Sequence, residues 1–101
     1  MWLSVMFDLP VVEKAQRKAA NRFRINLKDL GFEMAQFSVY MRYCTSVGQM
    51  DALIKNIELL LPPQGRVKIL QFTDKQYARI ISFRGEEKEK PSESPQQLLL
   101  L

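Results

Sequence analysis

Apolar residues fall at every second position in the first ten residues. In Met1–Pro10, Leu3, Val5 and Phe7 alternate with Trp2, Ser4, Met6 and Asp8, which predicts a β-strand. Pro10 has no backbone N–H and a fixed φ, so it ends the strand. The period then lengthens. Val12, Ala15, Ala19, Phe23, Leu27 and Leu30 recur three and four residues apart, predicting a helix over Val11–Leu30 with Gly31 as its C-terminal cap. Glu33–Arg42 alternates again and reads as one long strand. Ala35, Phe37, Val39 and Met41 occupy one face, and Met34, Gln36, Ser38, Tyr40 and Arg42 the other. Ser46 with Gln49 fits a capping box for a second helix, whose buried stripe is Val47, Met50, Leu53, Ile54, Ile57, Leu60 and Leu61. Pro62-Pro63 closes it. Arg66–Phe72 and Tyr77–Phe83 read as two further strands around a Thr73–Gln76 connector.

The expected fold is α+β, the ferredoxin-like β-α-β-β-α-β plan with both helices on one face of the sheet. The expected divisions are a folded domain over 1–84, a linker over 85–95 and a C-terminal strand over 96–101. The linker is charged and polar and carries two prolines. Four terminal leucines, Leu98, Leu99, Leu100 and Leu101, predict a strand that adds to a sheet edge of a partner subunit. The sheet face away from the helices should be polar in a monomer. Here Trp2, Met6 and Tyr40 are expected on it without cover, so a second subunit, a homodimer, is the expected lid.

Composition narrows the chemistry. The 101 residues make one domain with a modest core. No run of about 18 apolar residues predicts a membrane span, and the start does not resemble a signal peptide. The lone Cys44 has no disulfide or CxxC partner, which fits a cytoplasmic, reducing setting and a packed thiol. There is no histidine, so the usual general base and the common zinc sites are missing. Hydrolytic chemistry would have to rest on carboxylates and a hard cation such as Mg²⁺.

Asp8 is the first candidate for that chemistry. An acid before a turn is ordinarily a turn former or helix cap. At the rigid end of an apolar strand it instead calls for a metal ion, an arginine or a backbone N–H as partner. Charge supplies the second candidate. Residues 1–84 hold 13 Lys/Arg against 7 Asp/Glu, and residues 85–101 hold 2 against 4. Six cations of the first helix, Lys14, Arg17, Lys18, Arg22, Arg24 and Lys28, face only Glu13 and Asp29 at its ends. They read as a solvated face or as a surface that contacts nucleic-acid phosphates, with Arg42 counted beside them. The paired aromatics of an RNA recognition motif are absent from RVKILQF.

Four segments in consistent order resemble a known family: F-D-L-P after the first strand, D-L-G-F after the first helix, Q-F-S-V-Y, and T-D-K-Q-Y. Together they look like the small CRISPR-associated adaptation protein, the second of the two universal spacer-acquisition proteins. The match covers about residues 1–84 and looks most like members that accompany single-effector, DNA-cutting systems. Some members carry a basic residue where this chain has Met34.

The resemblance implies a symmetric homodimer of ferredoxin-like protomers, with the C-terminal strand crossing to the partner. It implies that Asp8 and its symmetry mate hold one divalent ion, Mg²⁺, as both metal site and catalytic site. It further implies a protein that bridges dimers of the CRISPR integrase and binds double-stranded protospacer DNA. Mg²⁺-dependent endoribonuclease activity, with single-stranded RNA as a further nucleic-acid partner, belongs to the family, and DNA cleavage to some members. Two classes of function follow: an adaptor in spacer acquisition, which is favoured, and a metal-dependent nuclease centred on Asp8. A toxin-type ribonuclease of the same fold is a third.

Overall fold

Strand β1 (Trp2–Asp8) runs through the middle of the sheet. A computed structural model describes residues 1–91. In it β1 is antiparallel to β3 (Val39–Tyr43) on one side and to β4 (Arg66–Phe72) on the other, and β2 (Glu33–Gln36) lies outside β3. A central strand has both edges paired, and Leu3, Val5 and Phe7 can all point into the core.

Helix α1 (Lys14–Asp29) starts later than its periodicity predicts. Pro10 and the extended Glu13 delay it, and Gln16 Oε1 accepts from the Val12 and Glu13 amides at 3.1 and 3.0 Å. Val12 is therefore exposed rather than part of the apolar face, which is carried by Ala20, Phe23 and Leu27. The C-terminal end follows prediction. Gly31 has φ +88°, its N–H reaches the Lys28 carbonyl, and the Phe32 N–H reaches that of Leu27. These two bonds close the helix in a Schellman arrangement.

The predicted long strand Glu33–Arg42 is two strands. Phe37 and Ser38 form the turn between β2 and β3, Ser38 at φ +61°, and the register shifts between Met34 and Gln36. Phe37 is consequently 91% exposed, not on an apolar face with Val39 and Met41. Splitting this segment yields the β-α-β-β-α-β order. Helix α2 (Val47–Leu59) is capped by Ser46 Oγ, which accepts from the Gln49 amide at 3.1 Å. The reciprocal arm goes to Thr45 rather than Ser46, because Gln49 Oε1 accepts from the Thr45 amide at 2.8 Å. Met50, Leu53 and Ile57 are buried against β1 and α1 residues, while Val47 and Leu61 are exposed.

The predicted strand Tyr77–Phe83 is not formed. Thr73 and Gln76 cap one another and start a short helix α3 (Asp74–Ala78). This helix lays Tyr77 flat on Trp2, with ring centroids 3.8 Å apart and planes 2° apart, and Phe72 and Tyr43 complete the cluster. Trp2 is thus covered by its own chain. Tyr40, also expected to lack cover, lies on the helix side and is 2% exposed, stacked on Phe7. What stays open on the other face is its middle, where Met6, Val39 and Met41 are half-buried and Leu70 is exposed. Across the boundary between the expected domain and the expected linker, Phe83–Arg84 (β5) and Glu87–Lys88 (β6) form a small hairpin around Gly85. The predicted C-terminal strand over 96–101 lies outside the described residues.

Candidate functional site

Asp8 closes β1, and the chain turns away at Leu9-Pro10. The loop after α2 presses on this point from the other side. Gly65 has φ +97°, and a Cβ placed there would lie 2.7 Å from the Asp8 carbonyl oxygen and 2.8 Å from Leu9 Cδ2. A residue without a side chain is what lets the two backbones meet. Asp8 itself is exposed and forms no ion pair among the described residues. It does not cap α1, since Gln16 takes the amides there.

The sheet register brings Asp8 neighbours that local sequence cannot reveal. Arg66 is its partner in the β1–β4 ladder, and Lys68 is the partner of Met6. Directly opposed residues on antiparallel strands project to the same face. Asp8, Arg66 and Lys68 therefore share the charged end of the face away from the helices. Neither cation stands out in the sequence, because their place depends on a pairing across some sixty residues of chain.

An oxygen donor of this kind suits Mg²⁺. The number of donors does not suffice within one chain: no group of three His, Cys, Asp or Glu side chains gathers among the described residues. A metal centre on Asp8 would need the second carboxylate of another copy, with water completing the shell.

The predicted nucleic-acid residues divide into two sets. Lys14, Lys18 and Arg22 are exposed at four-residue spacing on the side of α1 opposite Phe23 and Leu27, a stripe about 12 Å long at 1.5 Å per residue. Lys28 is exposed in the last turn, about a third of a turn around the helix from Arg22. None of the four forms an ion pair among the described residues. The other three are engaged within the protein. Arg17 Nη1 donates to the Val12 carbonyl at 2.7 Å, binding the loop that precedes the helix. The Arg24 guanidinium lies 6.0 Å from the Phe7 ring. Arg42 folds over Gly31, where a Cβ would lie 2.7 Å from its Nε, and its Nη1 is buried with no hydrogen-bond partner among the described residues. Leu98–Leu101 fall outside the described residues.

Cys44 is buried at the end of β3. Burial pushes its thiol pKa up, and the nearby Arg42 only partly opposes this. A protonated thiol is a poor nucleophile, so Cys44 is a packing residue.

A half-open cleft of about 240 Å³ lies behind the Asp8 turn, lined by Leu9, Pro10, Ala19, Ala20, Pro62 and Pro63 among others. Its lining is largely apolar, and Glu13 is its one ionisable group.

The sequence is similar to that of known proteins. The family model described as CRISPR associated protein Cas2 matches residues 1–80. A protein of Paracidovorax avenae named CRISPR-associated endoribonuclease Cas2 is 56% identical over 97 residues, covering 96% of this chain and 90% of the relative. Proteins of the same name are 41% identical in Parvibaculum lavamentivorans, over 99% of both chains, and 37% identical in Ligilactobacillus salivarius, over the full length of both. With the matched region spanning every strand of the main sheet, the chain belongs to the CRISPR-associated Cas2 family.

Proposed function

We propose that this protein is a homodimeric adaptor of CRISPR spacer acquisition, binding double-stranded protospacer DNA and bridging the CRISPR integrase. The observation that carries this reading is the exposed Lys14–Lys18–Arg22 stripe, free of ion pairs among the described residues. Cations with no carboxylate partner release phosphate counterions at full value, so the stripe supports a salt-sensitive grip on a duplex. The open apolar middle of the sheet, with Met6, Met41 and Leu70, supports a second copy as its cover.

A second reading, Mg²⁺-dependent phosphodiester hydrolysis at Asp8, is favoured by the exposure of that carboxylate and by the endoribonuclease names of the relatives. A metal ion held there supplies a more acidic bound water and charge neutralisation at a phosphate. The protein's part is to hold one carboxylate rigidly at a strand end and to bring a second by dimerisation. Single-stranded RNA and duplex DNA are both candidate substrates.

The test is spacer integration reconstituted with the cognate integrase. In the adaptor reading, Lys14→Gln/Lys18→Gln/Arg22→Gln loses duplex binding and integration while Asp8→Ala integrates like wild type. Integration that survives the triple variant sinks the adaptor reading. Integration that fails with Asp8→Ala, while dimer and duplex binding persist, moves Asp8 into the process itself.

A further inference from the structure

One aromatic side chain is given no work by the fold. Phe37 is 91% exposed, the most exposed of the large hydrophobic residues among the described ones. It stands in the β2–β3 turn, and that turn is fixed. Ser38 holds a left-handed φ of +61°, and its carbonyl accepts from the Phe7 amide at 3.0 Å. Phe7 is the residue before Asp8, so the turn and the carboxylate flank the same end of β1, and both side chains are exposed. We propose that Phe37 is a base-stacking residue that seats an unpaired nucleobase of a single-stranded nucleic acid at the Asp8 end of the sheet. The proposal rests on the reading of Asp8 as a centre that acts on nucleic acid.

Four observations lead to it. First, the ring is presented rather than packed. A phenyl group left in water forgoes the burial that aromatic residues ordinarily supply to a core, and left-handed backbone at a serine is a further cost. Folding gains from neither, whereas a ligand that covers the ring does. Second, Phe37 is not part of the apolar middle of the sheet that a second copy would cover. The β1–β3 ladder ends with the pair Met6 and Val39, and Phe37 lies in the turn beyond it. Third, cations serve the same end of the molecule. Helix α1 begins at Lys14, six residues after Asp8, and the exposed Lys14 and Lys18 attract phosphates without reading bases. Fourth, the chemistry of the ring selects the ligand. Inside a duplex each base has its faces covered by neighbouring bases, whereas the unstacked bases of a single strand offer theirs to aromatic side chains. Every base has such a face, so the contact is tolerant of sequence.

The ligand chemistry is an unpaired base, shared by RNA and DNA. The test measures binding of a single-stranded RNA, a single-stranded DNA of the same sequence and a DNA duplex, in EDTA and across a salt series. The variants are Phe37→Ala, Phe37→Leu and Phe37→Trp, each checked for its melting temperature and for its oligomeric state by sedimentation. Phe37→Ala is expected to weaken binding of at least one single strand about 5- to 150-fold, the range for loss of one stacked base. The strand that loses more identifies the sugar. The log K against log salt slope is expected to stay at its wild-type value, because no phosphate contact is removed. Duplex binding is expected to be unchanged. Phe37→Leu keeps an apolar side chain without a π face and is expected to bind as weakly as Phe37→Ala. Phe37→Trp is expected to bind like wild type, with its new exposed indole quenched by the strand. Wild-type affinity in Phe37→Ala or Phe37→Leu overturns the proposal, as does an equal loss on the duplex or an unquenched Phe37→Trp. Dissociation of a wild-type dimer in Phe37→Ala shows instead that the ring packs on a second copy, and overturns it also. The metal reading is judged separately, by Mn²⁺ binding to wild type and Asp8→Asn followed by electron paramagnetic resonance. If no Asp8-dependent Mn²⁺ binding is seen while Phe37→Ala still loses the single strand, the metal reading fails and the stacking residue stands.

Discussion

Gly65 and the Asp8 carbonyl meet so closely that a single methyl group at Gly65 would lie 2.7 Å from the oxygen. The strand end that carries the candidate acid is thereby held by a loop 57 positions further along the chain.

Gly65→Ala should therefore cost about 2–4 kcal/mol, from the φ of +97° and the clash together. Urea unfolding should show a lower midpoint with an unchanged slope. The displaced Asp8 should also weaken any Mn²⁺ binding beyond what the stability loss explains. A midpoint equal to wild type would contradict the contact.

Tyr77 covers Trp2, the protein's one tryptophan. Tyr77→Ala should open one face of the indole, shift its emission to the red and raise its quenching by acrylamide. The stability cost should be about 1–3 kcal/mol, below the range for a fully buried aromatic because Tyr77 is half-buried. Emission that stays in place would mean another group covers Trp2.

Ser38 holds φ +61° in the β2–β3 turn without being glycine. Left-handed backbone costs an ordinary residue about 1 kcal/mol. Its carbonyl accepts from the Phe7 amide at 3.0 Å, a bond glycine keeps. Ser38→Gly should therefore stabilise the fold by about 0.5 kcal/mol, read as a rise in melting temperature.

The Cys44 thiol gives a pH signature. Burial raises its pKa in the folded protein, so the folded state holds a proton that the unfolded chain releases. Its contribution to stability is complete below the ordinary thiol pKa of about 8.5 and is lost as pH rises through the folded value. The stability of wild type minus that of Cys44→Ala should fall across that alkaline window and stay flat at lower pH. Alkylation of native Cys44 by iodoacetamide at pH 7.5 should be slow and speed up on addition of urea. Rapid alkylation of the native protein would contradict its burial.

Local sequence determined a good deal. Apolar spacing is a property of neighbours three or four residues apart, and it marked the bodies of α1 and α2 and the alternation of β1. The prolines at 10, 62 and 63 and the glycine at 31 act on their own backbone, so they marked the boundaries correctly. Asp8 stood out because an acid at the end of an apolar strand is conspicuous in one dimension.

Long-range packing decided the rest. YARIISF is rich in strand formers, yet the Thr73–Gln76 capping box and the stack of Tyr77 on Trp2 make its first residues helical. The Thr-x-x-Gln spacing was a readable signal of that helix. The Phe37-Ser38 turn has neither glycine nor proline, so nothing local announced it. The six α1 cations look alike in sequence, but Arg17 and Arg24 are drawn to the Val12 carbonyl and the Phe7 ring only once the loop and sheet are in place. The meeting of Asp8 with Arg66 is of the same kind. Register is set by the pairing of distant strands, and a shift of one residue would turn Arg66 to the opposite face. The identities of these side chains are written in the chain, and their common face exists only in the folded sheet.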